Sequence, residues 1–384
     1  MPPFALLDHT LLLCISGSRA YGLHTAASDV DLKGALLPPR RQLLGLRPLF
    51  PQVDDPASIA AYAPLLRPEE QAAAAHTKLE GSVYGVQKLI ELAADCNPNV
   101  LELLFCREDE LRLLHPAGAL LRERRDLFLS QRAARTFAGY ARAQLQRIEL
   151  HRGWLLNPPA AQPTRADFGL PERTLLPADQ LAAAEAAVTK VLDSWTLNLD
   201  GLPAADAQRM RDQRDVFVRE SLGGAEALAR AAAAQAGLPF NVIELMERER
   251  RYTAAQRRFG QYLDWKRSRN PERAALEAAH GYDTKHAAHL LRLLRMGGEL
   301  MEEGALRVWR GDIDAAELLD VRAGGWSYER LLAEAKAGEA RLQAVVAAGR
   351  CPLPPTPDPA AVEALCCAVI EACLGAPPWS GPRG

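Results

Sequence analysis

The apolar positions at the start of the chain fall in short runs broken by glycine and proline. Leu11-Leu12-Leu13-Cys14-Ile15 is continuous and ends at Gly17, the pattern of a buried strand. A second strand is predicted from residue 29 to residue 37. It stops at Pro38-Pro39, which cannot continue a ladder. Val83, Val86, Leu89, Ile90 and Ala93 recur at helical spacing, so a helix is predicted over residues 83–94, with Glu80 just before it. Asn97-Pro98-Asn99 then breaks the chain ahead of residues 100–106.

From about Leu127 onward the periodicity is helical, with no convincing period-2 segment. The pattern therefore predicts an α/β (α+β) domain with a small mixed sheet over residues 1–126 and an α-helical domain over residues 127–376. Residues 153–180 hold five prolines and read as a long loop. Ala-rich helices are expected at residues 177–197 and 224–236 on intrinsic propensity alone, and residues 377–384 as a disordered tail.

Composition narrows the class. At 384 residues the chain exceeds the size at which one core usually stops growing, roughly 250–300 residues, and 48% hydrophobic with 24% charged residues is ordinary for a globular protein. A formal net charge of −2 argues against non-specific coating of nucleic acid, which needs a strong excess of Lys and Arg. A local basic cluster does occur between Arg248 and Arg273, interleaved with Glu247, Glu249 and Asp264, and fits a solvated helix face. The seven cysteines are odd in number and contain no C-x-x-C pair, so neither a disulfide framework nor a zinc ribbon fits, and a reducing cytoplasm is the expected compartment. No basic leader precedes an apolar stretch and no run is long enough to span a bilayer, so neither export nor a membrane anchor is expected. Nothing in the pattern specifies an oligomeric state.

The candidate chemistry sits near the N-terminus. Residues i and i+2 of a strand share a face, so Asp29 and Asp31 place two carboxylates side by side while Val30 and Leu32 face the core. Two carboxylates on one strand suit a hard cation such as Mg²⁺ (or Mn²⁺), and a third acid would complete a two-metal clamp for in-line displacement at phosphorus. Ahead of them Gly17 lets backbone approach a phosphate, Ser18 offers a hydroxyl at the start of a helix, and Arg19 could add charge-assisted contacts to a triphosphate. Far along the chain, a helix from Tyr282 to Leu300 with Asp283 as its N-cap carries Lys285, His289 and Arg292 at i, i+4 and i+7. That face suits a triphosphate or a nucleic-acid backbone across a cleft from the aspartates. It also fits a solvated face with a structural histidine. His286 and His289 lack the Glu and the spacing of a zincin.

The order Gly-Ser, ten residues, then Asp-x-Asp with an apolar residue after each acid resembles the signature of the polymerase-beta-type nucleotidyltransferases. More narrowly, residues 17–22 (GSRAYG), 97–102 (NPNVLE) and 282–290 (YDTKHAAHL) resemble predicted nucleotidyltransferases grouped with RNA-ligase-associated repair proteins, as do stretches around Trp154, Asp167 and Trp265. The resemblance implies a nucleoside triphosphate and a divalent metal as ligands. It also implies a third carboxylate on a later strand, for which Glu80 is the best match, although relatives tend to carry Asp there. An acceptor hydroxyl or phosphate would attack the α-phosphorus, with RNA, such as a broken end, as the implied partner. Transfer to a protein or small-molecule hydroxyl, or a catalytically silent RNA-binding scaffold of the same fold, are the other readings. Glu102, a lone acid among apolar neighbours, fits a buried paired carboxylate, a cap or a surface salt bridge, and is assigned no role.

Overall fold

The computed structural model describes residues 4–45, 50–175, 177–195, 210, 225–269 and 271–375. The chain divides into two compact units, one formed by residues 1–156 and 270–384 and the other by residues 157–269.

In the first unit a five-stranded mixed sheet is built from β1 (Thr10–Ser16), β2 (Val30–Leu36), β3 (Gln52–Val53), β4 (Leu79–Gly85) and β5 (Leu111–Leu114), in the order β3-β4-β2-β1-β5. β2 and β4 run parallel and the other neighbours antiparallel. β1 shows no polar alternation because both faces of the sheet are covered, and every one of its residues is buried. Leu13 and Ile15 join Val30, Leu32 and Leu36 in a cluster closed by Ile59, Tyr62 and Leu66. Leu12, Cys14 and Ala35 point the other way, into the main core beneath the helices. Each fully buried Leu or Ile contributes about 1.5–3 kcal/mol, so a one-residue slip of β1, which would exchange the two sets, is strongly disfavoured.

The helical layer comprises α1 (Val86–Ala94), α2 (Pro98–Leu104), α3 (Pro116–Glu123), α4 (Arg132–Leu156), α5 (Pro271–His280), α6 (Thr284–Glu303), α7 (Ala315–Ala323), α8 (Tyr328–Ala347) and α9 (Pro359–Leu374). The helix expected over residues 83–94 begins only at Val86. Val83 keeps helical spacing with its successors, but it pairs with Gly34 on β2 and Val53 on β3, so it and Glu80 belong to β4. Asn97 starts α2: its Oδ1 accepts the Asn99 N–H, and Pro98 stands at the first helical position, where a missing donor costs nothing. α6 runs through the middle of the layer. A Cβ on Gly297 would lie 3.0 Å from Phe137 of α4 and 3.1 Å from Leu342 of α8, so this glycine lets three helices approach closely.

The boundary expected after residue 126 does not coincide with this division. The helices on both sides of residues 157–269 share one core with the sheet, where Phe137, Leu290 and Val345 pack in the same cluster as Leu12 and Leu101. Helical periodicity alone does not report which core a helix serves. Among the described residues no strand follows Leu114. The 377–384 tail lies outside the described residues.

The second unit holds helices Ala178–Ser194, Ala225–Gln235 and Phe240–Ser268 around Val188, Ala232, Ala233 and Ile243. The proline-rich segment after Leu156 contains one 3₁₀ turn, Ala166–Phe168. Arg165 from that segment grips Glu249 through two hydrogen bonds of 3.0 and 2.5 Å, which accounts for one acid in the basic cluster. Among the described residues, no helix is long and apolar enough to cross a membrane.

Candidate active site

At the end of β1 the chain turns through Gly17, whose φ is +63°. A Cβ there would stand 2.1 Å from Asp31 Oδ2, so only glycine fits without moving that carboxylate. The turn continues as a single helical turn, Gly17–Ala20, whose dipole is correspondingly small. Gly17 and Ser18 both line a cavity of about 640 Å³, inside the roughly 300–1,000 Å³ range of small-molecule sites. Arg19 does not. Its Nη2 donates to the Ser28 carbonyl at 3.4 Å, so the side chain expected to reach a triphosphate braces the loop that leads to Asp29.

Asp29, Asp31 and Glu80 line the same cavity. Asp31 is paired in register with Ser16 of β1 on one side and Glu80 of β4 on the other, which places the two acids on one face of adjacent parallel strands. Burial pushes the Asp31 carboxyl above its usual range, and Asp29 and Glu80 add to the rise. Lys285 and, more weakly, Lys33 oppose it. Glu80 is the outermost acid, with Lys78 Nζ 3.9 Å from its Oε1.

Behind the acids lies a buried network. Glu102, 4% exposed, accepts the Tyr21 hydroxyl at 2.5 Å and Arg292 Nη1 at 2.6 Å, while Lys33 Nζ stands 3.5 Å away. Burial works to raise the Glu102 carboxyl, but Arg292, Lys33 and the Tyr21 hydrogen bond outweigh it and hold the pKa down to about 2. Arg292, 1% exposed, also stacks over the Tyr21 ring at 3.6 Å. Lys33 donates to Asn99 Oδ1 at 3.2 Å as well. Arg292 therefore borders the cavity with its guanidinium committed to Glu102. Helical spacing, which selected Arg292 for a phosphate contact, cannot reveal this pairing with a carboxylate 190 positions earlier.

Lys285 and His289 do line the cavity, from the first turns of α6. Asp283 fixes that end of the helix. One carboxylate oxygen accepts the His286 N–H at 3.0 Å, and the other takes the Arg273 guanidinium with His151 Nδ1 at 3.4 Å. Despite its burial, the hydrogen bond from His151 and the charges around it hold Asp283 well below the carboxylate range. Burial, reinforced by Arg292, lowers His289 to about 3. Burial likewise lowers His286 to about 4, where Asp283 opposes the shift and Arg273 and Arg147 add to it. Both rings are neutral at pH 7.

Sequence reasoning missed Arg322 of α7. Its Nη1 donates to the Leu23 carbonyl at 2.5 Å and its Nη2 to Ser28 Oγ at 3.2 Å, pinning the loop between Gly17 and Asp29 from a position almost 300 residues away. It also missed the α4 wall, where Tyr140, Gln144 and Arg147 face the cavity. Spacing of i, i+4 and i+7 was the available signal.

A small mixed sheet followed by a largely helical region is consistent with the fold of a nucleotidyltransferase domain joined to a helical one. Residues 8–154 match the family described as RlaP, the RNA repair pathway DNA polymerase beta family, so it is this N-terminal part of the chain that is similar to that family. No curated protein and no solved structure matches the chain.

Proposed function

We propose that the protein transfers a nucleoside monophosphate from a nucleoside triphosphate to an RNA end. The observation that carries this reading is that Asp29, Asp31 and Glu80 line one cavity with Gly17, where any side chain would strike the Asp31 carboxylate. The donor set fits a divalent cation, Mg²⁺ or Mn²⁺. It is all hard oxygen, and each of the other two acids raises the pKa of Asp31 in the absence of a cation. Asp29, Asp31 and Glu80 would hold the metal, which supplies neutralisation of the phosphate charge and stabilisation of the oxygens on either side of the reacting phosphorus.

The chain's own groups do the rest. The Gly17-Ser18 backbone and the Ser18 hydroxyl receive the phosphates, and Lys285 adds the cationic contact that a triphosphate of about four negative charges requires. Glu102 and Arg292 keep Lys33 and Tyr21 in place behind the acids, so the floor stays fixed while ligands exchange. Arg19 and Arg322 hold the loop between the phosphate turn and β2. No protein nucleophile is required.

The test is incubation of the full chain with each labelled triphosphate, Mg²⁺ and RNA of defined ends. Label on RNA that disappears in the Asp29→Asn/Asp31→Asn double variant is the expected result. Label on protein, or undiminished label in the double variant, overturns it.

A further inference from the structure

The cavity is bordered by five cationic side chains, Lys33, Arg147, Lys285, Arg292 and Arg322. Lys33 and Arg292 are engaged by Glu102, and Arg322 by Leu23 and Ser28. Lys285 bears on Asp31, where the triphosphate is placed. Arg147 is different: it is exposed, and among the described residues no hydrogen bond or ion pair engages it.

Its position is constrained nonetheless. Phe137, Ala141 and Ile148 bury one side of α4 in the main core, which turns Tyr140, Gln144 and Arg147 into the cavity. Arg147 lies near enough to His286 for its charge to be felt by that ring, whereas Lys285 is the cation that opposes the rise at Asp31 most strongly. Positive charge thus enters the cavity from two helices: Lys285 from α6 and Arg147 from α4. One triphosphate at the carboxylates accounts for the first. His286, next to the second, has its Nε2 3.6 Å from Asp283 Oδ2 and adds no charge there.

Resting on the transferase reading above, we propose that Arg147 forms a subsite for a terminal phosphate monoester of the RNA acceptor, so that the strand is received as a phosphorylated end. Arginine suits this ligand because its planar fork meets two phosphate oxygens at once. A phosphate monoester is largely dianionic at neutral pH, so it is a nucleophile that needs no base to remove a proton. One of its oxygens bonds to the α-phosphorus, and the bond from that phosphorus to the oxygen bridging the β-phosphorus breaks. Pyrophosphate leaves with that electron pair, and the RNA end carries a new phosphoanhydride.

The experiment measures binding of the full chain to short fluorescent RNA oligonucleotides identical except for a 3′-hydroxyl, 3′-phosphate or 5′-phosphate end, with transfer assayed in parallel. One phosphorylated end should bind about tenfold more tightly than its hydroxyl counterpart, and which one identifies the end. Arg147→Gln should erase that preference, and Arg147→Lys should restore part of it. Equal binding of all ends, or a preference that survives Arg147→Gln, overturns the subsite. Transfer onto hydroxyl ends that is indifferent to Arg147→Gln does so too while leaving the transferase reading intact. A phosphate preference lost with Arg147 but without nucleotidyl transfer to any end supports the subsite and removes that reading.

Discussion

Arg292 of α6 and Glu102 of α2 meet at 2.6 Å in the protein interior, joining segments 190 positions apart directly behind the acidic floor of the cavity. Removing one partner strands the other in a low-dielectric site, which costs about 3–5 kcal/mol. Glu102→Ala is therefore expected to lower stability by that amount in chemical denaturation. Lys33 and Tyr21 lose a shared acceptor at the same time. A loss below about 1 kcal/mol would show that the pair is not structurally important.

Gly17→Ala brings a methyl group against Asp31 at a backbone angle that side chains rarely adopt. We expect a loss of roughly 1–3 kcal/mol in stability and a drop in nucleotidyl transfer of about a hundredfold or more. Thermal melts and initial rates, measured together, check this. Near-normal transfer would mean that Asp31 does not need its present position.

Asp31→Asn separates the cost of a charged site from its use. The folded carboxyl titrates above its unfolded value, so its ionisation lowers stability progressively as pH rises from the unfolded pKa through the folded one. At pH 7 the metal-free variant should melt at or above the temperature of the parent protein. Added Mg²⁺ should raise the melting temperature of the parent and leave that of the variant nearly unchanged. A variant that melts lower without metal contradicts the account.

His286 and His289 make stability depend on pH with the opposite slope. Their folded pKa values, about 4 and about 3, lie below the unfolded value. Between pH 6.5 and 5 the unfolded chain takes up protons that the folded chain refuses, and each ring lowers stability by roughly 1–2 kcal/mol over that window. Urea melts across this range should show the decline in the parent and a shallower one in His289→Gln. Equal slopes would indicate that His289 titrates freely in the folded state.

What could be read from the sequence divides along the range of the interactions involved. β1, β2 and α6 follow from local periodicity, whereas Asp29, expected on the same strand as Asp31, lies just ahead of β2. Glu80 was legible only through a family resemblance, because the helical spacing of Val83 and Val86 concealed the strand on which it lies. The pairing of Arg292 and the role of Arg322 were not legible for one reason: their partners, Glu102 and the Leu23–Ser28 loop, come from remote parts of the chain. Helical faces announce which side is polar. They do not say whether that side meets solvent, substrate or a buried acid.

The chain leaves the first unit at Leu156 and returns to it at Asn270. A growing polypeptide therefore exposes the sheet and its acids well before the ribosome has made Arg292 or Arg322. Until then Glu102 and Lys33 lack a third member, and the loop before Asp29 lacks its anchor. The carboxylates are synthesised early but become organised late, so a prematurely terminated product retaining only residues 1–156 would contain all three acids without the groups that hold them in register.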